Sequence, residues 1–243
     1  MPPRSAAAVI TVDGLVIEVV RRRMRRLRLV VLPPTGAVVL SAPRWVPRRD
    51  LEAFATAKLA WIRAQQERIR SLPPAPRVEY RSGEDHAVWG SPRRLEVVEA
   101  GRRARVSLVG DRLVLSVPHG ADRAARARTL EGWHRRQVVA ALPPLIAAWQ
   151  APLGVEAAGW SVRRMTTRWG SCTPRTRRLR FNSELATRRP ELLEYVVVHE
   201  LAHLVEPSHN ARFKGLLSTH LPDWQTRHAE LAARPIGRCG DDG

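Results

Sequence analysis

Residues 199–203 read His-Glu-Leu-Ala-His, and His209 follows six positions after the second histidine. Side chains four apart on a helix share a face, so His199 and His203 can reach one ion while Glu200 projects beside it. Three neutral imidazoles suit Zn2+ and leave it an open position, where a water loses much of its proton affinity and a nearby carboxylate can take the proton. The spacing therefore predicts His199, His203 and His209 as zinc ligands and Glu200 as general base. Glu206, three residues after His203, and His220 or His228 further on are the alternatives for the third ligand. His209 is preferred because it alone sits just past a chain reversal, at Glu206-Pro207.

A bare HExxH pentapeptide also arises by chance on exposed helices, so its setting matters. Pro190 is suited to a first helical position, and Leu192, Leu193, Val196, Val197 and Leu201 supply an apolar stripe through about Val205. Burying two histidines and a glutamate on such a stripe is costly unless something satisfies them, and a metal satisfies all three.

The elements that must position this helix are legible in outline. Before it come an alternating segment Ser161–Arg168, a turn at Gly170-Ser171 and a strand Leu179–Ser183. Asn182 and this strand are expected to border the cleft, and by analogy with zincin peptidases an edge strand there would bind an extended substrate backbone by strand addition. Cys172 reads either as a further metal contact or regulatory thiol or, preferably, as a small buried residue beside a turn. Tyr195, one turn before His199, and Arg168 are candidates for stabilising an oxyanion, each equally readable as packing or solvated charge.

Toward the N-terminus, runs at Val16–Val20, Leu27–Leu32 and Ala37–Leu40, with a turn at Pro33–Gly36, predict a β-meander. Leu51, Phe54, Leu59, Trp61, Ile62 and Ile69 then predict one helix, ended by a linker at Pro73–Pro76. The order recurs: Arg105–Val109, a Gly110-Asp111 turn and Leu113–Pro118 mirror Arg28–Leu32 and Val38–Pro43. A helix from about Asp122 to Trp149 comes next, with Pro143-Pro144 as a point of bending and Trp133 placed as Trp61 is. This suggests an internal duplication. The expected architecture is α+β: a β-rich N-terminal region with helices over residues 1–120, then a zincin-like zinc peptidase domain over 121–243.

The residues Arg168–Cys172, Phe181-Asn182, Tyr195–His203, His209, Phe213 and Leu221–Trp224 together closely resemble the YgjP-like predicted metallopeptidases, relatives of the SprT-like and WLM zinc peptidases. The match is strong over the C-terminal third and looser over the Arg-rich hairpins. The resemblance implies a zincin-type peptidase with the ligands and base named above, acting on a polypeptide substrate. Lys214 stands where the family commonly has Trp, a departure that touches local packing. The His203-to-His209 spacing also fits metzincins, but Glu206 replaces their glycine, and Met1, Met24 and Met165 all precede the helix, leaving no Met-turn.

The composition bounds the partners. With 44% hydrophobic and 26% charged residues, the 243-residue chain is an ordinary folded protein. Its formal charge of +18 is carried almost wholly by arginine, Lys58 and Lys214 being the only lysines. Such a surface attracts nucleic acid, although GC-rich codon usage yields the same bias. A nucleic-acid-associated protein with a structural zinc site is thus the rival reading, and the SprT-like and WLM resemblance adds a peptidase acting on DNA-bound proteins. Cys172 and Cys239 are too few for a disulfide framework, and no window approaches the ~18 apolar residues of a membrane span or a signal peptide's core. A soluble, cytoplasmic protein is expected. His86, His119 and His134 have no partner spacing and are read as ordinary residues.

Overall fold

The computed structural model describes residues 8–32, 35–71 and 78–233, and within them the protein is α+β. The expected turn residues Pro33 and Pro34, the linker Pro73–Pro76 and Cys239 lie outside the described residues. The chain divides into two compact units, Met1–Pro76 and Arg77–Gly243, so the boundary falls well before the expected residue 120.

In the first unit, β1 (Ala8–Val12) and β2 (Leu15–Arg22) form a hairpin through Asp13 and Gly14, at φ 50° and 73°. Two successive positive φ values match the right-handed twist of the strands, which is why Asp-Gly is favoured there. The strands β3 (Arg28–Leu32) and β4 (Ala37–Pro43) complete the order β1-β2-β4-β3. This is not the meander expected from the sequence: β4 inserts between β2 and β3 and runs parallel to β2, from Ile17↔Val38 to Arg22↔Pro43. Neither β1 nor this parallel pairing is signalled by local alternation, because periodicity reports a face and not a partner. Ile10, Ile17, Val19, Val38, Leu40 and Ala42 point inward and pack with Leu51, Ala55 and Ile62. Those last three come from α1 (Arg48–Thr56) and α2 (Leu59–Ser71), two helices where the periodicity suggested one.

The second unit opens with the same plan. Strands β5 (Asp85–Val88), β6 (Ser91–Glu99), β7 (Arg105–Val109) and β8 (Arg112–Val117) lie in the order β5-β6-β8-β7, with β6 parallel to β8. The topology is thus repeated, yet the second sheet is fastened to elements later in the chain. At the β5–β6 turn the Trp89 amide donates to the Ala186 carbonyl at 2.7 Å. Gly90 there, at φ 84°, leaves no room for a Cβ, which would sit 2.9 Å from Arg189 Cβ.

The helix α3 (Arg123–Leu153) begins at Asp122, whose side chain accepts from Ala125 N at 2.6 Å, and ends at Gly154 in the left-handed conformation. It runs through the exposed Pro143 and Pro144 to Leu153, past the expected end at Trp149. Its first half gives Leu130 and Trp133 to the core of the second sheet. Its second half gives Val138, Leu142, Ile146 and Leu153 to the main core. Trp133 is 5% exposed and Trp61 45%, so the two tryptophans do not occupy equivalent places.

Beyond α3, β9 (Gly159–Arg163), β10 (Gly170–Thr173) and β11 (Arg178–Asn182) form a small sheet in the order β10-β11-β9. A 3-10 turn over Ser183–Thr187 leads to α4 (Pro190–Ala202), followed by α5 (Ala211–His220) and α6 (Trp224–Ala233). Nine of the thirteen residues of α4 are buried, including Leu192, Leu193, Val196, Val197 and Leu201, so this helix is the centre of the unit.

Candidate metal centre

The sequence 199–203 lies on the last turn of α4, which ends at Ala202 rather than near Val205, with His203 as its C-cap. His203 Nδ1 donates to the Glu206 carbonyl at 3.1 Å, which turns its Nε2 outward. Glu206 does not join the imidazoles: its Oε1 accepts from the Ser208 amide at 3.1 Å and so closes the turn after the helix. Asn210 then caps α5, its side chain accepting from Phe213 N at 3.0 Å. A cap of this kind is worth about 1 kcal/mol. It fixes the residue just before the helix, His209, over the end of α4.

The outcome is one group of three imidazoles, His199, His203 and His209, with one nitrogen from each lying within 4.8 Å of the others. His199 Nε2 and His209 Nε2 are 3.1 Å apart. Two nitrogens bound tetrahedrally at ~2.05 Å from zinc stand about 3.3 Å apart, so the donor set fits an ion of that size. Burial, together with His203, His209 and His228 nearby, lowers the His199 pKa to about 3, and burial lowers that of His203. Both are therefore neutral at physiological pH, as ligation requires. Of the other third-ligand candidates, neither His220 nor His228 is in the group.

Two features supporting this centre were invisible as spacing. Phe213 is buried beneath all three imidazoles, with ring centroids 5.0, 4.5 and 4.9 Å from those of His199, His203 and His209. The Tyr195 hydroxyl lies 3.4 Å from His199 Nδ1 and 3.1 Å from His228 Nδ1 on α6. With His199 Nε2 facing the ion, its Nδ1–H points at the Tyr195 oxygen and the Tyr195 O–H donates to His228. In that arrangement Tyr195 would orient His199 as a ligand, its O–H engaged by His228 rather than aimed at an oxyanion.

Glu200 is 5% exposed and faces β10. A Cβ on Gly170 would come within 2.7 Å of Glu200 Cγ and 2.8 Å of Val196 Cγ1, so only glycine admits this approach of strand and helix. Burial pushes the Glu200 carboxyl up to about 8, while Arg168 acts in the opposite direction. A divalent cation a few ångströms away would draw it back toward the neutral range. Cys172 is pushed up to about 11 by burial and by Glu200, so it stays a thiol, and it is outside the imidazole group.

Asn182 does not border the cleft. It is fully buried, and its side chain joins Met165 N and O, Arg168 O and Glu184 N at 2.8–3.3 Å, fastening the loop that carries Arg168. The strand at 178–182 is likewise the middle one of its sheet. The edges are β9 and β10, each pairing with β11 alone among the described residues, and β10 is the one beside Glu200. Residues 170–172 line a cleft of about 650 Å³ together with Arg168, His199, Glu200, His203, His209 and His228.

Two imidazoles from the end of α4 and a third from the loop after it, with a buried carboxylate beside them and a cleft in front, make a group that could hold one metal ion. The YgjP-like metallopeptidase domain matches residues 25–234, and the chain belongs to that family. It is accordingly a metallopeptidase, and the family implies a divalent metal. No curated protein matches the sequence. Among solved structures, the metallopeptidase zymogen abylysin of Pyrococcus abyssi is 17% identical, with TM-score 0.34, over 38% of this chain and 96% of its own. The zymogen jannalysin of Methanocaldococcus jannaschii is 21% identical, with TM-score 0.33, over 37% of this chain and 92% of its own.

Proposed function

We propose that the protein is a zinc-dependent peptidase that binds an extended polypeptide along β10 and uses Glu200 as general base. The observation that carries this reading is the buried Glu200 held by Gly170 between the three imidazoles and an edge strand. His199, His203 and His209 would hold the ion, which when bound polarises the scissile carbonyl and acidifies a water. Glu200, beside the ion, would take the proton from the attacking water and deliver it to the leaving amine. The free edge of β10 offers backbone donors and acceptors to a substrate strand, which orients the scissile bond without demanding a particular sequence. No helix among the described residues is long and apolar enough to cross a membrane. A cytoplasmic setting is part of the same proposal and agrees with the free thiol of Cys172.

The test compares zinc-loaded wild type with Glu200→Gln on an unfolded protein substrate. Loss of cleavage by at least about a hundredfold with zinc still bound is expected, the range for removal of a general base. Equal cleavage by both proteins would remove Glu200 from the mechanism, and absence of cleavage by wild type would favour a structural metal.

A further inference from the structure

At one end of the first sheet, β2 leaves through Arg22 and β3 enters at Arg28, while β4 ends at Pro43 in register with Arg22. The β2–β3 connection carries Arg23, Arg25 and Arg26, and the turn after β4 carries Arg44 and Trp45. The two are tied together, since Arg21 Nη1 donates to the carbonyls of Pro43 at 2.8 Å and Val46 at 2.6 Å. Trp45, bracketed by those bonds, is 75% exposed, the most exposed large apolar side chain of the described residues. Arg22, Arg23, Arg25, Arg26 and Arg44 are all exposed and form no ion pair among the described residues, whereas Arg48 and Arg49 are engaged by Glu52 and Asp50.

The second sheet is an internal control for whether this is mere composition. Its topology and register are the same, with Glu99↔Val117 standing where Arg21↔Ala42 stands in the first. The position two residues after the closing proline is Gly120 rather than a tryptophan. Glu99 is paired with His119 at 3.1 Å. Arginine alone does not distinguish the two ends, since Arg102, Arg103 and Arg105 of the second are exposed too and form no ion pair among the described residues. What distinguishes the first is Trp45, a solvent-facing indole in a turn held by Arg21, beside five exposed arginines that form no ion pair among the described residues, with Arg21 standing where the second sheet has Glu99.

From this juxtaposition we propose that the end of the first sheet around Trp45 binds a single-stranded nucleic acid, one base stacking on the indole and the neighbouring phosphates meeting Arg22, Arg23, Arg25, Arg26 and Arg44. Indole faces stack on any base, and planar guanidinium forks match phosphate oxygens. A duplex hides its base faces, so Trp45 would have nothing to stack on. An anionic lipid surface is the poorer match, since one indole flanked by arginines offers little apolar area to insert. None of these residues belongs to the metal centre, and the test reads binding only.

Fluorescence anisotropy of labelled oligothymidylate and oligouridylate with the full-length protein decides it. Four or five phosphate contacts predict a log–log salt dependence with a slope of about −3. Trp45→Ala should weaken binding about tenfold, within the range for loss of one stacked base. Arg25→Gln/Arg26→Gln should flatten the slope by about 1.4. The same charge removed from the second sheet, Arg102→Gln/Arg103→Gln, should leave both affinity and slope in place. A preference for either sugar, or equal binding of both, supports the site and names its ligand. Four results would overturn it: no binding of either oligonucleotide, equal effects of the two double variants, no effect of Trp45→Ala, or capture by phosphatidylserine vesicles that oligonucleotides do not displace.

Discussion

Tyr195 shows how much of a metal site is decided away from the ligands. As a metal ligand, His199 would have its tautomer and the direction of its other nitrogen set by one hydroxyl, which sits between its Nδ1 and that of His228. Outer-shell partners of this kind typically contribute about 10–100-fold in metal affinity. Tyr195→Phe keeps the packing and removes the hydroxyl, so the zinc dissociation constant should rise by about that factor. Competition with a chromophoric chelator measures it, and an unchanged constant would reduce Tyr195 to packing. At this scale the sequence was most informative where chemistry is local. The pair at 199 and 203 and the carboxylate at 200 follow from helical spacing, and His209 from the reversal at Pro207. Phe213 and Gly170 stood out only as residues of the family resemblance, and neither their roles nor the Tyr195–His228 contact was legible, because each depends on which element is packed against α4.

The approach of β10 to α4 is the element-level counterpart. Gly170 is required by its neighbours, with Glu200 Cγ and Val196 Cγ1 inside the volume that any larger residue would fill. Gly170→Ala should therefore displace the Glu200 carboxylate while leaving the three imidazoles, none of which is among the atoms nearest to a Cβ at this position. Catalysis should fall at least about tenfold, the sensitivity expected of a misplaced catalytic group, with zinc content unchanged. Wild-type turnover, or equal loss of metal and turnover, would count against this division of labour. Element order was also only partly legible. The strands 28–32, 105–109 and 112–117 were visible as alternating runs with turn residues. The parallel pairings β2–β4 and β6–β8 were not, since they join segments far apart in sequence that no local pattern connects.

For the whole Arg77–Gly243 unit, two histidines away from the metal centre, the buried His86 and the half-buried His134, set a pH limit. Burial lowers His134 on α3 to about 4, His86 acting in the same direction, and burial also lowers His86 on β5. A histidine in an unfolded chain titrates near about 6.5. Between about pH 6.5 and about pH 4 the unfolded chain takes up a proton that folded His134 refuses, so stability from this residue is complete above that window and declines as the pH falls through it. The drop in thermal midpoint between about pH 7.5 and about pH 5 should thus be smaller in His134→Gln than in wild type, the other histidines contributing equally to both. An identical drop would show that His134 is not the responsive group. The sequence could not point to this pair, since residues 86 and 134 meet only because α3 closes over the second sheet.

The helix α3 carries a consequence for how damage spreads. Over 31 residues, a span of about 46 Å, it is shared by two cores, one beneath the second sheet and one behind the metal centre. A strut with its ends embedded in different masonry transmits settlement from one wall to the other. Injury to the hairpins at 85–117 would therefore surface as lost catalysis, in residues that never approach a substrate.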